Sequence, residues 1–247
     1  RLDEYLVIIT GGKSWKSVSN IGKFREIANR SSARRIEITT DVPELDFLSS
    51  VADSLRGSRI EAVVAIGGGK IIDSAKVVAG VISLPDKEPL AVVRQGLVGG
   101  KVPEIIAMPT TAGSGSEATS FAVVYNGNRK YSYSNIKIRP SEVVFSEEAV
   151  SRQPRQVMVS SSLDATCQAI ESIWSNSSSE ESLKFAQISL KEIWPIMKNG
   201  LKGEIDYKLL IKCANNSGEA INLSKTTGAH ALSYGLTRIF GIPHGIA

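Results

Sequence analysis

The chain has 247 residues, 42% of them hydrophobic and 22% charged, a globular composition that excludes a disordered, collagen-like or disulfide-stapled protein. Its formal charge of +4 is dispersed in short pairs such as Arg34–Arg35 and Arg129–Lys130, which argues against a nucleic-acid partner and leaves an anionic small molecule open. No apolar run is long enough to span a bilayer, no basic-then-apolar leader opens the chain, and Cys167 and Cys213 form no CxxC, so no membrane partner, a cytoplasmic location and two core cysteines are expected.

In chain order, Leu6 to Ile9 reads as a buried strand, the turn Thr10-Gly11-Gly12-Lys13 follows, and Ser17 to Ala28 is expected to form a helix. A strand around Ile36 to Ile38, a helix from Glu44 to Leu55 opened by Asp41, and a strand from Ala62 to Ile66 come next. Val/Ile-rich runs that do not alternate, separated by helices, belong to a parallel sheet covered on both faces. Ile105 to Met108 is a further buried strand, and FAVVYNGNRKYSYS, with Asn126-Gly127 between two β-prone runs, reads as a hairpin. From about Asp164 the apolar spacing changes to three and four, and the rest is helical. The expected architecture is a doubly wound α/β domain over residues 1–152 and an all-α domain over 153–247, divided near the proline of SRQPR. The chain opens on Arg1 and stops three residues after His244, so the helical domain is expected to be incomplete.

Two polar loops follow buried strands. AIGGGKIIDSAK, residues 65–76, places Gly67, Gly68 and Gly69 before a helix, where missing Cβ atoms and a helix N-terminus suit a pyrophosphate. Lys70 adds a positive charge, and Asp73 is placed to cap the helix or hold a loop amide. Close strand–helix packing explains such glycines equally well, and the loop is neither GxGxxG nor a Walker A motif. The second loop, MPTTAGSGSEAT at 108–119, carries Thr110, Thr111 and Ser114 at the carboxyl end of a strand, where α/β folds bind ligands.

Both histidines of the chain, His230 and His244, lie in HALSYGLTRIFGIPHG. On a continuous helix fourteen residues would separate them by about 21 Å. Gly241 and Pro243 let the chain turn back between them. Asp164 and Gln168, four apart, share a helix face, and with the two imidazoles they make a donor set able to hold Zn²⁺ or Fe²⁺ with an open position.

These motifs together resemble the iron-containing (group III) alcohol dehydrogenase family, of dehydroquinate-synthase-like fold. The family's GGGSxxDxAK is here GGGKIIDSAK, its PTTAGTGSE is PTTAGSGSE, its DAxxHAIE is DATCQAIE, and its paired-histidine segment is GAHALSYGLTRIFGIPHG. The resemblance implies an oxidoreductase that interconverts an aldehyde and a primary alcohol with NADP(H) or NAD(H) and a divalent metal, and a homodimer or larger assembly. It places Gly67, Gly68, Gly69 and Lys70 along the pyrophosphate, Thr110, Thr111 and Ser114 near adenine and ribose, and Lys130 on the cofactor. Asp164, His230 and His244 match its metal positions. Gln168 stands where most members have a ligating histidine, and an amide oxygen is a weaker ligand. The remaining three would still suit zinc, as in the related polyol dehydrogenases. Tyr234 replaces a second family histidine, and its hydroxyl is a candidate for that residue's proton relay.

Many NAD-preferring relatives carry an Asp in the first turn, where this chain has Gly11-Gly12-Lys13-Ser14; with Lys13 and Lys16 nearby, NADP(H) is expected to be accepted. ESIWS at 171–175 and the segment from Lys225 to Gly245 are most similar to the phosphonoacetaldehyde reductase branch. Lys225 and Arg238 are therefore candidates to meet a phosphonate. A zinc polyol dehydrogenase and a nucleotide-binding homologue without turnover are the competing readings.

Overall fold

The computed structural model describes residues 5–30, 33–200 and 204–247. The chain divides into two compact units, Arg1–Thr110 with Ser120–Ser146, and Thr111–Thr119 with Glu147–Ala247. The division falls at Ser146, a few residues before the expected 152, and the loop 111–119 belongs to the helical unit although its flanks belong to the first.

The first unit is built on five parallel strands in the order β2-β1-β3-β4-β7: β1 is Tyr5–Gly11, β2 Ala33–Ile38, β3 Ile60–Gly67, β4 Glu104–Pro109 and β7 Glu142–Val143. Val7, Ile8 and Ile9 of β1 and Val63 to Ile66 of β3 are buried on both sides, which is why these runs do not alternate. Helices α1 (Gly12–Val18), α2 (Gly22–Ala28), α3 (Leu45–Asp53), α4 (Gly69–Ile82) and α5 (Pro89–Gln95) connect the strands. The expected helix 17–28 is two helices, α1 starting directly at Gly12 and ending at Val18 before a short break. Glu44, not Asp41, precedes α3, and its side chain makes no capping bond. The sheet runs outward from β1 in both directions, first to β2 and then to β3 and β4. This places the topological switch point between β1 and β3, whose carboxyl ends carry Gly11-Gly12 and Gly67-Gly68.

The hairpin forms as expected, β5 (Phe121–Asn126) pairing antiparallel with β6 (Arg129–Ser134) around Gly127 at φ +57°. It is fastened to α4 by polar groups. The fully buried Lys76 donates from Nζ to the Phe121 carbonyl at 2.8 Å, and Asp73 Oδ2 accepts the Val123 amide at 2.9 Å. Gly80 is required there, because a Cβ would stand 2.0 Å from the Tyr133 hydroxyl.

The second unit consists of α6 (Glu147–Ser151), α7 (Arg155–Trp174), α8 (Glu180–Gly200), α9 (Tyr207–Ser224) and α10 (Gly228–Phe240). Helices α7, α8 and α9 pack around Met158, Ala165, Ile193, Leu210, Cys213 and Ala214. A second layer of Ala169, Ala186 and Ala220 lets the helices approach closely. Cys213 is buried as expected, but Cys167 is exposed. Among the described residues no helix is long and apolar enough to cross a membrane.

Candidate metal centre and active site

Asp164 lies in the middle of α7, His230 in the first turn of α10, and His244 in the turn after it. Gly241 ends α10 at φ +67°, its amide donating to the Thr237 carbonyl, and so reverses the chain. Gly245 then presses onto α7, where a Cβ would stand 1.8 Å from the Ser160 carbonyl oxygen. Only glycine lets the turn lie this close, and the approach carries His244 back to His230.

The two Nε2 atoms are 3.0 Å apart, and His244 Nε2 is 3.8 Å from Asp164 Oδ1. One ligand atom from each of the three residues lies within 4.8 Å of the others. Each ring's distal nitrogen faces an oxygen able to accept a hydrogen bond. Glu171 is an acceptor at 3.2 Å from His230 Nδ1; Ser233 Oγ, which donates to the His230 carbonyl at 2.8 Å, is left to accept from His244 Nδ1 at 3.2 Å. With N–H at both Nδ1 atoms, both Nε2 lone pairs would point into one space, where a cation between them would relieve their repulsion. Burial pushes the Asp164 carboxyl up to about 7, the Gln168 hydrogen bond opposes this, and Glu171 adds to it. A buried carboxylate and two imidazoles with converging lone pairs are a donor set that a divalent cation completes. Tyr234 stacks on the His244 ring with centroids 4.9 Å apart.

Gln168 turns its amide nitrogen, not its oxygen, to Asp164. Its Nε2 donates to Asp164 Oδ1 and to the Ser114 carbonyl, both at 3.1 Å, while Oε1 accepts from Ser217 Oγ at 3.0 Å. Turning Oε1 toward the site would set it against two acceptors. Glu171, which the sequence reading passed over inside DATCQAIE, is 3% exposed and accepts from the amide and hydroxyl of Thr227. Burial acts to raise its pKa, but the Thr227 and His230 hydrogen bonds outweigh this and hold the carboxyl low. Its spacing of seven from Asp164, two helical turns, was the available signal.

A cavity of about 260 Å³ is lined by Asp164, His244, Thr111, Ser114, Ser160 and Ser161, with Gln156 and Val157 from the start of α7. Thr111 and Ser114 thus line the same cavity as Asp164 and His244. The glycines of their loop serve packing: a Cβ on Gly115 would be 2.4 Å from Gly218 Cα, and one on Gly113 2.3 Å from Ser161 Cβ. Lys225 and Arg238 are not among the residues lining this cavity. Lys225, just past the end of α9, donates from Nζ to the Asn222 carbonyl of that helix, and Arg238 is exposed in the last turn of α10.

In the first unit, Gly67 is explained by packing, since a Cβ would be 2.5 Å from Ile71 Cγ1. Gly68 and Gly69 are partly exposed at the start of α4. The Thr110 amide donates to the Gly67 carbonyl, so the starts of both loops adjoin. Lys70 Nζ donates to the Thr40 carbonyl at 2.7 Å; desolvation lowers its pKa, Asp41 opposes and Lys13 adds to the lowering. The Asp73 carboxylate reaches the hairpin, where Oδ2 accepts the Val123 amide of β5 at 2.9 Å. Lys130 in β6 titrates under the same carboxylate, desolvation lowering its pKa and Asp73 opposing. The first turn is not free of acid. Glu37, near the end of β2, reaches Gly12 so closely that a Cβ there would meet Oε1 at 2.4 Å, and Arg35 Nη1 lies 3.4 Å from Glu37 Oε2.

The family model described as iron-containing alcohol dehydrogenase matches residues 1–147. Phosphonoacetaldehyde reductase of Streptomyces viridochromogenes is 34% identical over 216 residues, which are 82% of this chain and 54% of that protein. An alcohol dehydrogenase of Thermococcus barophilus is 24% identical over 250 aligned residues, 97% of this chain and 65% of the relative. The chain thus spans between about half and two thirds of these relatives' lengths. A crystal structure of sulfoacetaldehyde reductase from Bifidobacterium kashiwanohense in complex with NAD⁺ superposes with a TM-score of 0.86 at 27% identity, covering 98% of this chain and 65% of that one. An iron-containing alcohol dehydrogenase from Thermotoga maritima superposes at 0.90 with 24% identity, covering 99% and 68%, and shares the fold.

Proposed function

Since the chain belongs to the iron-containing alcohol dehydrogenase family, we propose that it is part of a cytoplasmic reductase that interconverts a small aldehyde and its primary alcohol, with a divalent metal held by Asp164, His230 and His244. The observation that carries this reading is the convergence of one buried carboxylate and two imidazole Nε2 atoms at the edge of a cavity. When bound, the cation supplies Lewis acidity at the carbonyl oxygen and a nicotinamide supplies the hydride.

The protein's own contribution is orientation and exclusion of water. Thr111, Ser114 and Ser160 bring hydroxyl-bearing residues to the cavity, where they would offer neutral hydrogen bonds, and Val157 would form an apolar wall. Tyr234 keeps the His244 ring in plane by stacking. With Gln168 turned to Asp164 and Ser217, three protein ligands remain, a set suited to zinc with one position open, and to iron at lower affinity. In the first unit, the partly exposed turn Gly68-Gly69 and the positive end of α4 would receive the pyrophosphate. Glu37 beside Gly12 supplies the acid that the first turn lacks, where it would accept from ribose hydroxyls and repel a 2′-phosphate. NAD(H) is therefore the favoured dinucleotide, whereas the turn sequence alone pointed to acceptance of NADP(H).

For the substrate, an aldehyde bearing a tetrahedral anionic head, phosphonoacetaldehyde first, is supported by the 34% identical relative. With Lys225 and Arg238 away from the cavity, the head would be met by the serine and threonine hydroxyls. The test is oxidation of NADH and NADPH by the full chain, preloaded anaerobically with Zn²⁺ or Fe²⁺, with phosphonoacetaldehyde, simple aldehydes and diols. Selective turnover of the phosphonate supports the whole reading. Turnover of plain aldehydes or diols alone removes the anionic head, and binding of nucleotide with no turnover of any substrate overturns the enzymatic assignment.

A further inference from the structure

We propose that Glu171 is the positioning residue of this centre, selecting the His230 tautomer that leaves Nε2 bare and anchoring the start of α10 on which His230 stands. The inference rests on the metal-site reading above.

Glu171 is buried, and both its oxygens are used. Oε2 accepts from the Thr227 amide at 2.6 Å and the Thr227 hydroxyl at 2.5 Å, and Oε1 faces His230 Nδ1 at 3.2 Å. Thr227 is the residue that precedes α10, and its own side chain makes no capping bond to that helix. One carboxylate thus holds the helix start and, one turn further on, the ring. The same end of α7 grips the preceding turn: Ser175 Oγ donates to the Ser224 carbonyl at 2.6 Å, and Ser224 Oγ donates to Ser172 Oγ at 2.8 Å. Lys225 follows at φ +64°, the one left-handed non-glycine among the described residues, so the chain's direction here is imposed by these contacts.

A carboxylate can only accept, so it requires N–H at Nδ1 and leaves the Nε2 lone pair free. In the other tautomer, His230 Nε2–H would donate to His244 Nε2 across the observed 3.0 Å, and the imidazole pair would close on itself. Glu171 therefore decides between a centre open to a cation and a closed one. Asp164, two turns earlier on α7, is the carboxylate that faces the cation, and the two acids divide ligation from orientation.

Glu171→Gln tests this with little change of shape, because its amide can donate to Nδ1 and impose the closed tautomer. Two readouts are taken on the full chain: ¹⁵N-histidine NMR of the metal-free protein, and Zn²⁺ affinity by competition with a chelating dye. The expected result is N–H at His230 Nδ1 in the parent chain, N–H at Nε2 in Glu171→Gln, and a loss of Zn²⁺ affinity of about 10–100-fold. Glu171→Asp, which keeps the acceptor, should retain the Nδ1–H tautomer, and it carries the test if the glutamine variant does not fold. An unchanged tautomer and affinity in Glu171→Gln, or an Nε2–H tautomer in the parent chain, overturns the inference. A parent chain with the expected tautomer that binds no Zn²⁺ overturns the metal-site reading instead.

Discussion

Asp164 and Glu171 are both buried acids on α7, yet the first is pushed up to about 7 and the second is held low. Desolvation acts on both; the difference is that Glu171 collects two hydrogen bonds from Thr227 and one from His230. The motif DATCQAIE displayed both acids, but sequence spacing alone could not tell which would meet the imidazole. Gln168 was legible as a member of this helix face and not as a clamp, because which end of an amide faces a neighbour depends on partners 50 residues away. Its removal should be felt as stability: Gln168→Ala leaves Ser217 and Asp164 without their amide partner and should cost about 1–3 kcal/mol in urea unfolding. Glu37 was missed entirely, since only the register of β1 against β2 brings it to Gly12. Glu37→Ala should raise the NADPH-to-NADH ratio of kcat/KM by about tenfold, the equivalent of ~1.4 kcal/mol, and an unchanged ratio would remove Glu37 from cofactor choice. The cysteines give a further check. Burial pushes the Cys213 thiol up to about 12, and burial together with Asp164 and Glu171 raises that of the exposed Cys167. A thiol-specific reagent at pH 8 should modify one cysteine per native chain, slowly, and two in denaturant; rapid modification of both in the native chain would contradict this packing.

Glycines mark the elements that position the site, and they do so for different reasons. Gly115 and Gly218 let the 111–119 loop touch α9 at backbone distance, Gly245 does the same on α7, and Gly127 only turns a hairpin. Gly218→Ala, whose Cβ would stand 2.6 Å from the Gly115 carbonyl oxygen, should cost about 1–3 kcal/mol and weaken metal binding through Ser114 and Gln168. Gly127→Ala has open space around it and a strained φ alone, so a cost of about 1–2 kcal/mol without effect on the metal is expected. Thermal unfolding of the two variants with and without Zn²⁺ checks both. Strands were the elements most readily read from the sequence, because burial on both faces writes itself as unbroken Val/Ile runs. The hairpin was readable from its turn. The break between α1 and α2 was not, as Ser19 to Ile21 carry neither proline nor glycine, and α5, a short helix of seven residues opened by Pro89 and capped by Glu88, was not identified as a helix.

At the scale of the whole chain, the change from strand runs to helical spacing announced two units, while the excursion of 111–119 into the second was hidden. That excursion follows from Gly113, Gly115 and the Gln168 clamp, none of which has a local signature. The histidine pair was legible as a site because Gly241 and Pro243 lie between the two rings. The most direct measurement of the central claim is the Zn²⁺ stoichiometry and thermal shift of the parent chain beside Asp164→Asn and His244→Ala. One ion per parent chain is expected, with a melting temperature that rises with free Zn²⁺ as binding to the native state alone requires, and loss of both in each variant. A parent chain that takes up no ion, or variants that bind one as the parent does, would contradict it.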